Sequence, residues 1–444
     1  MVHICIFQNI RKFRRTILRS FFSLFLSIIL LCNLLSAWDI NQLTIQYLEL
    51  AKQNNSGLKA QYNIWKAEQE QINSINKLPN PRLNFGYFME NIETAVGPQE
   101  YKIGLYQKFP WFGKLSTKRK IQILSAQIQK LKIKQRIENI RLDISNTLHD
   151  IYYINKKIEI TENNIDLLKQ LQSILSAKYL SSTKSYSSII KVNQEISILE
   201  ESLLYLQRKQ TSFFLTLQAI AESKIVPKNF QNIKNTHTFW KTNSDSLRNL
   251  IFLNNTNVKI INLKKNIARL KHKRAGQDFI PDAGIGIDYI FTGNKYKSDG
   301  SQVTDSGKNP IVLGLSLEIP LQFQKIFNNI KSLKYQNASV INMEKELHKN
   351  LGVRLDKLLI SLEDSQSNCY TYSQKIIPAT KQSLAIMTSE LKVNKIDIYM
   401  LIDTQRELLK YELALIKNQT YYAKTTEKIK QLTGSIYYEV IKIK

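Results

Sequence analysis

Histidines, cysteines and paired carboxylates are the side chains that could do metal or covalent chemistry here, and their spacing supports neither. The five histidines, His3, His149, His237, His272 and His348, stand apart, with no cysteine or acid at metal-ligand spacing. Gly284 and Gly286 would suit a nucleotide loop, but they lie inside an alternating stretch and not between strand and helix. No catalytic residues, no cofactor and no resident metal are therefore expected. What remains is the chemistry of surfaces, and the elements that carry it can be read from period and punctuation.

The first 37 residues read as a leader. Arg11, Lys12, Arg14, Arg15 and Arg19 precede an apolar stretch from Phe21 to Leu35, and Ser36-Ala37 offers a small-residue cleavage site. That is the anatomy of a secretory signal peptide; a membrane anchor is the other reading of the same pattern. Cys32 would be a lipid acceptor if small residues preceded it, but Leu30 and Leu31 are bulky. After cleavage Cys369 alone remains, so no intrachain disulfide can form, and it reads as a small buried helix residue. The formal charge is +27, and 27 less the leader's five cations leaves +22. The lysines are scattered among Asn and Ile without a compact basic patch, so nucleic acid is not an expected partner.

The mature chain says the same thing twice. Asn54-Asn55-Ser56-Gly57-Leu58 is echoed by Asn254-Asn255-Thr256-Asn257-Val258, and Pro81 and Gly86 by Pro281 and Gly286, at a shift of 200 residues. Gly104 and Pro110 match Gly314 and Pro320 at 210, and Gln194 matches Gln405 at 211. Two copies of one unit follow: residues 38–226 and 244–444, joined by a linker at 227–243.

Within each copy the period switches. Residues 39–77 carry apolar positions at helical spacing, and Pro79 and Pro81 end that helix. Residues 82–90 and 101–109 alternate, with Leu83, Phe85, Tyr87 and Met89 on one face and Arg82, Asn84 and Gly86 on the other. Residues 91–98 are the expected loop. The second copy repeats this at 283–291 and 311–319. Residues 115–180 hold neither proline nor glycine, enough for a helix of about 100 Å. Val192, Ile196, Leu199, Leu203, Leu206, Phe213, Leu217 and Ile220 form a coiled-coil seam that Gln210 interrupts. Residues 323–377 and 382–432 give the matching helices of copy two.

Four strands of about ten residues, apolar on one face and polar on the other, carry the signature of a transmembrane β-barrel. A soluble α+β protein would cover that face with helices, but these hairpins are isolated and their flanking helices are too long to fold back over them. Four strands cannot close a barrel, and an open edge in lipid leaves backbone groups unpaired. The strands are therefore expected in a shared barrel, of eight strands in a dimer or twelve in a trimer. Phe109, Trp111 and Phe112 cluster where strand meets helix, as membrane-interface aromatics do, with Pro110 and Pro320 at the two strand–helix junctions.

Pro79-Asn80-Pro81-Arg82-Leu83, Gly97-Pro98-Gln99-Glu100 and Gln107-Lys108-Phe109-Pro110-Trp111-Phe112-Gly113-Lys114 carry a resemblance to the TolC-like outer-membrane efflux factors. Pro281-Asp282, Asn309-Pro310, Ile319-Pro320, the segment from Val393 to Gln405 and Leu432-Thr433-Gly434 extend it over nearly all of the mature chain. The resemblance implies a mainly α fold with transmembrane β. A homotrimer would share one twelve-stranded barrel in outer-membrane lipid of a Gram-negative bacterium. Long coiled-coil helices would form a tunnel through the periplasm, closed at its tip until a periplasmic adaptor and an inner-membrane pump dock. By position the tip turns are Leu180 to Tyr186 and Lys392 to Ile398. Glycine is usual there, whereas this chain has Ser181-Ser182 and Val393-Asn394. Asp397 and Asp403, with Asn394, Ser182 and Lys184, are the tip candidates. A carboxylate ring would hold cations or partner Arg and Lys residues, while the plainer role for Asp397 is to cap the returning helix. The competing reading of the chain is a periplasmic coiled-coil adaptor or scaffold.

Overall fold

The structure, a computed structural model, describes residues 39–180, 186–223, 230, 243–393 and 395–434. The leader with Cys32, most of the linker, and the tip candidates Ser182, Lys184 and Asn394 lie outside the described residues.

The helix expected over 39–77 is two helices, α1 (Ile40–Asn54) and α2 (Ser56–Ile75). No proline is needed for the break, because Asn55 makes it. Its Oδ1 accepts from the Leu58 amide at 3.0 Å and its Nδ2 donates to the Ile220 carbonyl at 3.1 Å. Copy two breaks at the matching residue, between α5 (Ser244–Asn254) and α6 (Thr256–Gly276). There Asn255 Oδ1 accepts from the Asn257 amide at 2.9 Å and Nδ2 donates to the Leu432 carbonyl at 2.8 Å.

Between them run α3 (Lys114–Leu180) and α4 (Tyr186–Ala221). Copy two supplies α7 (Phe323–Thr371), α8 (Ile377–Lys392) and α9 (Ile398–Thr433), which ends on Gly434 in the left-handed region (φ 68°). The expected division at 377–382 is corrected. Helix α7 passes into α8 through a single π turn, Tyr372–Ile376, just before Pro378. Proline lacks an N–H and its ring crowds the carbonyl four residues back; the wider turn absorbs this without ending the helix.

Each repeat has its own core. In the first, Leu43, Tyr47, Leu48, Ile144, Leu148, Ile151 and Leu217 are buried together. In the second, Leu247, Ile251, Leu351, Leu355, Tyr422 and Ile429 are. The polar interruption in the α4 seam is satisfied across the helix pair, where Gln210 Nε2 donates to Asn155 Oδ1 at 2.6 Å.

Strands β1 (Arg82–Thr94), β2 (Gly97–Phe109), β3 (Asp282–Thr292) and β4 (Ile311–Glu318) form one antiparallel sheet in the order β1-β2-β3-β4. β1 and β2 are longer than the alternation suggested, and the expected loop at 91–98 is mostly ladder. An irregularity between Tyr87 and Ile92 breaks the alternation, after which Ile92 pairs Gln99 and Thr94 pairs Gly97. The longer connection from β3 to β4 folds back on this turn, with the Gly307 amide donating to the Val96 carbonyl at 2.8 Å and Lys295 Nζ to the Thr94 carbonyl at 2.7 Å.

Candidate functional site: an uncovered sheet and a helical tip

One face of the sheet is apolar and nothing among the described residues covers it. Its rows run straight across the strands: Leu83 pairs Leu105, Leu105 pairs Ile287 and Ile287 pairs Leu313, and beside them Phe85, Ile103, Tyr289 and Ile311 line up. Met89 is 93% exposed, Leu315 82% and Leu83 74%. Side chains of this size each contribute about 1.5–3 kcal/mol when removed from water, so a bare apolar sheet face calls for an apolar surround. No described helix is long and apolar enough to cross a membrane. Among the described residues, strands β1 and β4 also each keep one unpaired edge.

The opposite face is polar and self-satisfied. The Tyr106 ring lies over Gly284 and Gly286, and its hydroxyl bonds Ser316 Oγ. A Cβ at Gly284 would overlap that hydroxyl, which explains a glycine in mid-strand without any nucleotide loop. At one end of the sheet Asp282 gathers three partners. Its Oδ1 accepts from Lys114 Nζ at 2.6 Å and from the Trp111 amide at 3.0 Å. Its Oδ2 lies 3.2 Å from Lys108 Nζ, and Lys108 also bonds Glu318. Lys114, buried, donates further to the Ile280 carbonyl at 2.7 Å. This hub ties the end of β2, the start of β3 and the end of β4 together. This hub leaves no trace along the chain, because its members are drawn together only by the β2–β3 and β3–β4 ladders.

Pro110 directly follows β2 and Pro320 follows β4 after Ile319, where the chain leaves the sheet for α3 and α7. Phe112 is 90% exposed and Trp111 partly so, their rings edge-on at 6.0 Å. Gly113 (φ 88°) makes the turn into α3.

The far ends of the helices form the second region. α3 ends at Leu180 and α4 begins at Tyr186, while α8 ends at Lys392 and α9 begins at Ile398. Leu175, Val192, Leu391, Ile398 and Ile402 are buried together and join the two helix pairs. Lys178 Nζ donates to the Leu391 and Lys392 carbonyls at 2.5 and 2.9 Å, a cation on the open end of α8. Two turns up, Arg406 forks onto Glu195, with Nε donating to Oε2 at 3.0 Å and a second nitrogen bonding Oε1. That hydrogen bonding holds the Glu195 carboxyl below the usual carboxylate range and pushes Arg406 up. Asp397 is the N-cap of α9, accepting from the Tyr399 amide at 3.3 Å. Asp403, exposed, lies 3.3 Å from Arg406. The two tip aspartates are therefore not equivalent, since one holds backbone and the other faces a guanidinium. Among the described residues, no three His, Cys, Asp or Glu side chains converge on a metal-sized point.

No family model matches the chain, and no curated protein matches it in sequence. Solved structures do match its shape. The outer-membrane protein VceC of Vibrio cholerae is 14% identical, with a TM-score of 0.72 over 88% of this chain and 96% of that one. CusC, described for its transmembrane channel formation, is 12% identical, with a TM-score of 0.72 over 88% and 92%. The MtrE outer-membrane channel of Neisseria gonorrhoeae, solved in its open state, is 13% identical, with a TM-score of 0.67 over 88% of each chain. The chain has the fold of the TolC-like outer-membrane channels, mainly α with a four-stranded β contribution.

Proposed function

We propose that this chain is the outer-membrane exit duct of a tripartite efflux or secretion system of a Gram-negative bacterium. It would conduct passively, without catalysis, what an inner-membrane pump delivers through a periplasmic adaptor. One observation carries the reading. A sheet with a bare apolar face and two open edges is joined to helices of about 100 Å. Three copies sharing twelve strands would pair every edge in lipid and enclose a polar lumen. Phe109, Trp111 and Phe112 then sit as interface aromatics, and Pro110 and Pro320 mark the passage from barrel to tunnel. In this reading the leader 1–37 is removed, and the repeats 38–226 and 244–444 each supply one hairpin and one helix pair.

Asp397, Asp403, Asn394, Ser182 and Lys184 are the residues we assign to the tip that meets the adaptor. Of these, Asp403, exposed and shared only with Arg406, is the one placed to offer charge to a cation or a basic partner, since Asp397 is engaged as a cap. Asp403→Ala should change single-channel conductance or cation block; unchanged conductance would remove it from the tip's electrostatics. A periplasmic scaffold would use the helices but leave the apolar sheet in water. The deciding measurement is native mass after extraction from outer membranes in mild detergent. A trimer supports the duct, whereas a monomer or a soluble periplasmic protein overturns it.

A further inference from the structure

We propose that β4 of one copy pairs with β1 of the next in the register of the internal β2–β3 seam. Leu317 then lies opposite Phe85 of the neighbouring copy, and Glu318 is ion-paired with that copy's Arg82. The proposal rests on the shared-barrel reading and specifies its seam.

Inside the chain, β2 against β3 is the seam where the first repeat meets the second. In a closed ring, β4 against β1 is the seam where the second repeat meets the first. The two repeat shifts, 210 for β2 onto β4 and 200 for β3 onto β1, carry one seam onto the other. The observed pair Gln107–Ile285 becomes Leu317–Phe85, and Leu105–Ile287 becomes Leu315–Tyr87. All four resulting residues are on the exposed apolar face. A slip of one residue would set Leu317 against Asn84 and turn one strand's apolar row toward the lumen.

Charge gives a second, independent agreement. In the internal seam, Lys108 reaches diagonally to Asp282 at 3.2 Å. The matching positions in the outer seam are Glu318 and Arg82, with both signs reversed. Reversal at one position alone would have set like charges together; reversal at both preserves the attraction. The Glu318 side chain is 66% exposed and meets Lys108 through Oε2 alone. Arg82 is exposed and has no ion-pair partner among the described residues. Both lie on the polar face, so the ring of copies would carry Arg82, Lys108, Asp282 and Glu318 in rotation around the lumen where barrel gives way to helix.

The stagger also closes. The row that starts at Leu83 reaches Leu313 within one chain and would meet Met89 of the next copy, six residues along. Three such steps around twelve strands give a strand tilt of about 45°, within the range of closed barrels.

The test is cross-linking in outer membranes, in a Cys369→Ser background. Leu317→Cys with Phe85→Cys should yield covalent dimers and trimers on oxidation, removed by reductant. Gln107→Cys with Ile285→Cys, the equivalent pair of the internal seam, should give an intrachain bond and calibrates the yield. Leu315→Cys with Phe85→Cys, two residues off, should give little. An off-register product in place of the Leu317–Phe85 product overturns the register while leaving the trimer standing. A native mass showing monomers overturns the shared barrel itself. Arg82→Glu should lower the temperature at which the trimer dissociates, and Arg82→Lys should restore it; no change with either overturns the ion pair.

Discussion

Glu195 and Arg406 occupy the same position in the two repeats, 211 residues apart, and are bonded to each other. The helix pairs of the two repeats meet here side by side, and opposite charges at the matching positions link them. Lys108 and Glu318, 210 residues apart, show the same relationship at the sheet.

The Glu195–Arg406 link should be lost in acid. The Glu195 carboxyl titrates lower folded than unfolded, so its contribution is complete above the ordinary carboxylate value and disappears as pH falls through the folded one. Glu195→Gln should cost on the order of 1 kcal/mol in urea unfolding, since Arg406 is half exposed, and should remove this acid dependence. In planar bilayers it should raise open probability. A variant with wild-type gating and an unchanged acid profile would show that the link does not restrain the tip.

Asn255 should matter more than a usual helix cap. Its side chain both caps α6 and donates to the Leu432 carbonyl in a buried setting. Asn255→Ala should destabilise by about 2 kcal/mol, and Asn255→Asp, which keeps the acceptor and loses the donor, by about half of that. Denaturant melts of the two variants, alongside those at Asn55, check the equivalence of the repeats.

The glycines of the sheet should separate into required and tolerant. Gly284→Ala meets the Tyr106 ring and hydroxyl and should sharply reduce heat-resistant oligomer in outer membranes. Gly314→Ala, whose nearest neighbour is a carbonyl oxygen at 3.9 Å, should assemble normally. Semi-native gels of the two distinguish them.

Cys369 is buried and its thiol is pushed up to about 11 by that burial. It should resist maleimide at pH 7–8 in the folded protein and react at once in denaturant, giving a direct readout of unfolding of α7.

The strand and helix periods and the ends of the long helices were legible because each leaves a local trace: alternation, a heptad stripe, a matched Asn or Pro. What was missed lacks such a trace or is ambiguous at short range. Asn55 could have signalled a helix start, with Gly57 two residues on, but no proline accompanies it. Pro378 normally reads as a stop, and only the π turn beside it keeps the helix going. The irregularity after Tyr87 scrambles the alternation that would have shown the full length of β1. Asp282 with Lys108 and Lys114, and Glu195 with Arg406, join residues about 170 and 211 apart, where charge pattern along the chain carries no information.

The π turn has a mechanical consequence. From Lys114 to Leu180 the first repeat sends one unbroken strut from the sheet to the far end, whereas the corresponding strut of the second repeat is jointed at Tyr372–Ile376. A bending load applied at the far end finds less resistance at a joint whose hydrogen-bond ladder is already interrupted. The two halves of the chain are therefore mechanically unequal although they are built alike. One behaves as a mast and the other as a hinged arm, so displacement at the tip should be taken up by α8 and α9 while α3 holds station.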